Sequence, residues 1–336
     1  MNLITGGTGF LGAHLLLFLL RKGESVRAIY RNEKSLKKVK DFFKERNESE
    51  KFKLIEWIQA DINNIPSIID IFDSVEYVYH SAALISFDPK DEEELRKVNI
   101  EGTSNLVNIA LKHPIKKFCY VSSIATLGDL SENETTITEE TEWNAEKAHS
   151  DYALSKKGGE MEVLRAGQEG LPNVIVNPGV ILGNGFWEHG SGSIFSAVFN
   201  ELPFYTKGSS GFIAVEDVCK LVYFLTHSDS NNERFTLVAK NIKFKSLIDW
   251  ICEAGDVKKP RFYAKPWMTE IAWRIDKLIA FLFFRKRKMS RATSKSLHST
   301  ALYSNEKILG IVDHSFLSIE MVTKKVSRNF KDSLDI

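Results

Sequence analysis

Three cysteines in 336 residues, Cys119, Cys219 and Cys252, are too few and too scattered for a disulfide framework. Their number is odd and none lies in a CxxC pair, so no zinc site is expected and buried thiols are the simpler reading. Excess charge is missing too. Lys+Arg 45 against Asp+Glu 44 leaves a net charge of +1, and no global field draws nucleic acid to the chain. No apolar run approaches the roughly 20 residues of a spanning helix; the longest, 15–20 and 278–284, are too short. Repeats and low-complexity tracts are also lacking. A glycine-rich turn begins so near Met1 that no leader is expected ahead of it, which implies a reducing cytoplasm.

What the chain does hold starts in its first dozen residues. An apolar strand, Asn2-Leu3-Ile4-Thr5, runs into Gly6-Gly7-Thr8-Gly9-Phe10-Leu11-Gly12 and then into a leucine-rich helix from Ala13. Gly6 permits a sharp turn, Gly9 lets backbone approach a diphosphate, and Gly12 lets the helix pack closely on the sheet. The first turn of that helix aims unpaired N–H groups at an anion. The spacing is GxxGxxG rather than GxGxxG, so the placement between strand and helix carries the dinucleotide reading.

Further apolar segments at 26–30, 53–59, 77–80, 117–122 and 173–176 alternate with helical or loop stretches, which implies a doubly wound parallel sheet of Rossmann type. The charged stretch 34–51 reads as a solvated helix and loop. After Tyr30, where an NAD-selective site carries an acid, the chain places Arg31, so NADP(H) is favoured over NAD(H). Asp61 accepts from an adenine amino group or caps a turn, and both readings stay open. His80 beside small residues reads as a hydrogen-bonded core group. A helix is expected over 92–110, with Asn99 inside it as a poor helix former in want of a reason.

Val121-Ser122-Ser123 closes a strand, and Tyr152-Ala153-Leu154-Ser155-Lys156 follows about thirty residues on. Four residues apart on a helix, the phenol and the ammonium share a face. A neighbouring cation lowers a tyrosine from its usual value near 10, which makes Tyr152 a general acid in reduction and a base in oxidation.

With these residues in view, the chain resembles the extended short-chain dehydrogenase/reductase family, also described as NAD-dependent epimerase/dehydratase proteins. The motifs are TGGTGFLG from Thr5, Asp61, HSAA from His80, VNIEGT from Val98, VSS from Val121, YxxxK, NPGVILG from Asn177 and GFIAVEDV from Gly211. The resemblance implies that Tyr152 is the proton donor, that Lys156 holds the ribose hydroxyls, that Ser123 rather than Ser122 polarises the substrate oxygen, and that Asn99 orders a relay water. It likewise implies cofactor contacts from Gly6, Thr8, Gly9, Phe10, Leu11, Gly12, Asp61, Ile62, Ala82, Ala83 and Pro178. Asn177 stands where many members carry arginine, which leaves open what is read there. The loop 183–192 is glycine-rich; Phe186 and Trp187 either cover a ring-shaped substrate or sit on a mobile surface loop.

From Phe235 onward helical patterns dominate, and a smaller, mostly helical substrate lobe is expected over 177–210 and 235–336, with 211–234 returning to a dinucleotide-binding unit of 1–176. Within it, Met268, Ile271, Ile275, Leu278, Ile279 and Leu282 form one helix face opposite Glu270, Arg274 and Lys277, ahead of Arg285-Lys286-Arg287-Lys288. Three readings stay open: a helix packed on the core, a membrane contact through 267–288 with Trp267, Trp273, Phe281, Phe283 and Phe284 at the interface, or a wall gripping an acidic substrate. The favoured function is an NADP(H)-dependent oxidoreductase on a small apolar ketone or alcohol, resembling the dihydroflavonol reductase and 3β-hydroxysteroid dehydrogenase branch. Ser296-Leu297-His298 and Tyr303 look like that branch's tail. The alternatives are a nucleotide-sugar epimerase or dehydratase with retained NAD, and a non-catalytic nicotinamide-binding regulator. A homodimer is left open.

Overall fold

The computed structural model describes residues 1–132, 134–188, 190–282, 287 and 289–334. Phe283, Phe284, Arg285, Lys286 and Lys288, singled out above, and His189 of the loop 183–192 lie outside them, as do the side chains of Phe281 and Leu282.

Seven short strands form one parallel sheet: β1 (Asn2–Thr5), β2 (Val26–Tyr30), β3 (Glu56–Gln59), β4 (Tyr77–His80), β5 (Lys117–Val121), β6 (Asn173–Pro178) and β7 (Glu233–Leu237). Their order is β7-β6-β5-β4-β1-β2-β3. The order reverses between β1 and β4, and an open α/β sheet binds ligands in the crevice at that switch point. Register brings Thr5 of β1 opposite His80 of β4, so the two strand ends lie side by side. Every residue of β5 and β6 is buried, as expected of central parallel strands covered on both faces.

Helices α1 (Phe10–Arg21), α2 (Glu33–Lys44) and, later in the chain, α5 (Val215–Thr226) cover one face of the sheet with leucine, valine and phenylalanine. Helices α3 (Gly102–Ala110) and α4 (Asp151–Gln168) cover the other. A smaller core gathers Leu182, Phe195, Phe212 and Ile251 around α6 (Phe244–Gly255) and α8 (Ile319–Leu334). Strands Val180–Leu182, Ser209–Ala214 and Lys240–Lys243 pair in a second sheet.

Several expectations are corrected here. The strand expected over 53–59 is only Glu56–Gln59, because the polar stretch before it winds into a short helix, Ser49–Phe52. The return to the main sheet expected over 211–234 is made by α5 and β7; Gly211–Ala214 itself belongs to the second sheet, pairing with Val180–Leu182. The boundary expected at Phe235 falls inside β7, whose Phe235, Thr236 and Leu237 pair with Val176, Asn177 and Pro178. The loop 183–192 is not a loose cover. Phe186 packs on Phe42 at 5.8 Å and Trp187 on Phe330 at 4.9 Å, while Glu188 meets Lys38 at 3.0 Å and the Asn184 carbonyl accepts from Arg46 at 3.1 Å. Helix α7 (Pro266–Leu282) does not bury its apolar face, so the core-packed reading fails for it. No helix among the described residues is long and apolar enough to cross a membrane.

Candidate active site

Gly6 has φ +72°, and a Cβ built there would lie 2.5 Å from the Ala82 amide nitrogen; only glycine lets the β1 end and the β4 end meet this closely. Gly12 is equally constrained, since a Cβ would stand 2.1 Å from the Gly6 carbonyl oxygen and push α1 off the turn. No side chain caps α1 and no carboxylate stands in its first turn, so its N-terminal amides and dipole are left for an anion. Beside this turn opens a cavity of about 230 Å3 whose lining includes Gly6, Thr8, Gly9, Arg31, Asp61, Ile62, Ala82 and Ala83. The tips of four strands therefore converge on one hollow with room for backbone-phosphate contact, and these residues fit a dinucleotide. Phe10 packs on His14 and Phe186 instead, Leu11 is partly buried against the core, and Pro178 is buried in β6 opposite Leu237; none of these three, nor Gly12, lines the cavity. Asp61 caps its turn, Oδ1 accepting the Asn63 amide at 2.9 Å, and the residue also lines the hollow.

The second half of the site lies over β5. Helix α4 carries Tyr152 and Lys156 one turn apart, and Ser150 caps it by accepting the Ala153 amide. Burial raises the Tyr152 phenol above its usual value, and hydrogen bonding with the Ser123 hydroxyl pulls the other way. Ser122, by contrast, is buried and turned toward Thr126 at 3.3 Å. Lys156 is buried, with Nζ donating to the Val121 carbonyl at 2.8 Å and lying 4.2 Å from the Tyr120 ring centre. Desolvation brings its pKa down to about 7, against the attraction of Glu160. The ammonium is thus engaged with the backbone at the end of β5.

Asn99 explains its place in mid-helix. Lys97–Glu101 is a π-turn between Glu92–Arg96 and α3, and π-bulges concentrate at functional sites. The Asn99 amide bridges three elements: Oδ1 accepts the Leu84 amide at 2.8 Å, and Nδ2 donates to the Leu84 carbonyl at 3.0 Å and to Ser155 Oγ at 2.9 Å.

Behind Asn99 runs a directed chain. Thr103 donates its single hydroxyl proton to the Asn99 carbonyl at 2.8 Å, so the contact of Thr103 with His80 Nε2 at 2.9 Å has the histidine as donor. Burial lowers His80 to about 3, so the ring is neutral and Nδ1 accepts from Thr5 at 2.6 Å. His80 is therefore the Nε2–H tautomer, tying the β1 tip to the π-turn.

The roles of three residues escaped the sequence reading. Glu160 is fully buried and accepts from Thr126 and from Asn177, each at 2.6 Å. Asn177 also donates to the Ser123 carbonyl at 3.1 Å, so it braces the strand end that bears Ser123 and faces inward, where no substrate group is read. Ser155 passes the Asn99 contact to the Tyr152 carbonyl at 2.9 Å. Glu160 alone had a signal, standing four residues after Lys156 on the same helical face.

Known proteins resemble the chain in sequence and in fold. The chain is 28% identical over 286 residues to a putative dihydroflavonol 4-reductase of Synechocystis, covering 82% of this chain and 79% of the relative. It is 26% identical over 271 residues to sterol demethylase protein B of Methylococcus capsulatus, covering 79% and 77%. Its fold matches the Thermus thermophilus UDP-glucose 4-epimerase in complex with NAD with a TM-score of 0.73 at 19% identity, covering 98% of each chain. Residues 2–237 match the model of one family, and on that match the chain belongs to the NAD dependent epimerase/dehydratase family, whose members bind a nicotinamide cofactor.

Proposed function

We propose that this chain is an NADP(H)-dependent oxidoreductase that interconverts a small lipophilic ketone and its alcohol. The observation that carries the reading is the placing of Tyr152 and buried Lys156 one helical turn apart on α4, facing the strand end that bears Ser123, beside a hollow suited to a dinucleotide. Gly6, Gly9 and the start of α1 would hold the diphosphate, Asp61 with Ile62 the adenine side, and Lys156 the ribose hydroxyls. Bound there, the nicotinamide supplies or accepts the hydride.

In the reducing direction Tyr152 gives its proton to the substrate oxygen while Ser123 donates to the same oxygen; oxidation runs the proton back. Asn99 and Ser155 fix the height of the tyrosine-bearing turn, and Asn177 with Glu160 fixes the serine. An apolar substrate is supported by the names of the two relatives, a flavonoid reductase and a sterol protein, and by Phe87, whose ring lies 5.7 Å from that of Tyr152. NADP(H) is supported by Arg31 on the rim of the hollow.

The test uses the purified protein. It should carry no tightly held NAD(H) absorbance and should oxidise added NADPH with lipophilic ketones. Tyr152→Phe should lower that turnover at least about 100-fold while NADPH still binds. Protein-bound NAD(H), with no turnover of added NADPH, would favour the epimerase reading that the fold match supports. Cofactor binding without turnover across a broad panel, unaltered in the variant, would favour a regulator.

A further inference from the structure

Helix α7 is inverted relative to a core-packed amphipathic helix. Its buried positions are small: Thr269 and Ala280. The Thr269 hydroxyl accepts from Ser294 at 3.0 Å and meets His298 Nε2 at 2.9 Å, which fastens that side to the short helix Arg291–Ser296. The apolar side faces solvent. Trp267 is 61% exposed, Ile271 48%, Ile275 52% and Leu278 58%, at steps of four, four and three that make one stripe along the helix. Single exposed apolar residues are ordinary, whereas a row of this kind marks a contact.

Charge says what the contact is. Next to the stripe a cavity of about 280 Å3 is lined by Lys90, Arg274, Lys277 and Arg287 around Leu278 and Ala280. Two carboxylates stand beside these cations: Glu270 pairs with Arg274 at 3.0 Å and accepts from the Trp273 indole, and Asp88 accepts the amides of Lys90 and Arg287. The cavity lining itself holds four cations and no acid among the described residues, against those two neighbouring carboxylates, so a local excess of positive charge remains in a chain that nets only +1. A two-fold contact between copies would press both sets of cations toward one seam. Lipid phosphates would neutralise them.

We propose that α7 docks this protein on an anionic lipid bilayer, its stripe at the headgroup–acyl boundary and its basic cavity on the phosphates. Tryptophan beside cations suits that depth. The rim continues through Pro89 and Phe87 to a hollow that Ser150 and Asp151 also line, just before Tyr152, so the docked face borders the candidate active site. Docking itself does not rest on the catalytic reading, because its test reads no turnover.

The full chain is floated with phosphatidylcholine vesicles, with and without phosphatidylglycerol. It should float with the anionic vesicles alone and be released by salt. Ile275→Glu and Lys277→Glu, both at exposed positions, should each lower the partition coefficient about tenfold or more with no change in thermal unfolding. Equal flotation with neutral vesicles, or none with either, overturns the proposal. So does a dimer, seen by light scattering, that Ile275→Glu splits into monomers while the parent ignores vesicles.

Discussion

At the scale of single residues, Arg31 has the most separable job. It stands exposed at the end of β2 on the rim of the dinucleotide hollow, and the nearest acid in sequence, Glu33, accepts from the Tyr30 hydroxyl at 3.1 Å. A guanidinium facing a 2′-phosphate contributes a charge-assisted pair that a 2′-hydroxyl cannot return. Arg31→Ala should therefore raise the Kd for NADPH roughly 10- to 100-fold and leave that for NADH almost unchanged, as read by titration of each cofactor. Equal weakening of both would remove the NADP assignment. Arg31, Tyr152 and Lys156 could be named from the sequence because their chemistry depends on residue type and a spacing of a few positions. The bracing roles of Glu160 and Asn177 could not be read there, because they consist of contacts between α4, β5 and β6.

At the scale of elements, the decisive piece is the π-turn that carries Asn99 against α4. Gly159 lies in the interior of α4, where alanine ordinarily gains up to about 1 kcal/mol in helix propensity. Here a Cβ would stand 2.3 Å from Tyr120 Oη and 2.6 Å from the Asn99 carbonyl oxygen. The carbonyl is backbone, already accepting from Thr103, and cannot swing aside. Overpacking of this kind costs about 1–3 kcal/mol, so the usual sign should reverse. Gly159→Ala should lower the denaturant midpoint, and turnover should fall as Asn99 and Tyr152 separate; a more stable, fully active variant would contradict the close packing. The helix around Asn99 was legible as a helix, but its extra residue per turn was not, since a π-turn shows no change in apolar period over five residues.

At the scale of the whole molecule, two neutral histidines are built into the cofactor-binding half. Burial lowers both His14 and His80 to about 3; His14 sits on α1 against Phe10 and Phe42, and His80 at the tip of β4. In the unfolded chain each takes a proton near pH 6.5. Folded pKa values below unfolded ones mean that stability is complete above about 6.5 and is lost as pH falls through the window down to about 3. With both rings protonated only on unfolding, the slope should approach about 2.7 kcal/mol per pH unit near pH 5. Urea midpoints taken between pH 7.5 and 4.5 should show it, and His14→Leu should roughly halve the slope. An unchanged slope would mean that His14 titrates alike in both states.

The amino-acid order alone determined the nucleotide-binding turn, the parallel α/β sheet and the tyrosine–lysine pair, because each depends on short-range geometry: where glycine lacks a Cβ, how strand and helix periods alternate, and which residues share a helical face. Tertiary structure decided the rest. Only packing could show that β7 completes the sheet, that the loop 183–192 is clamped between α2 and α8, and that Asn177 turns inward. The same apolar period predicts α7 whether its stripe meets core or solvent, and the burial of Thr269 and Ala280 on the opposite side is what chose solvent.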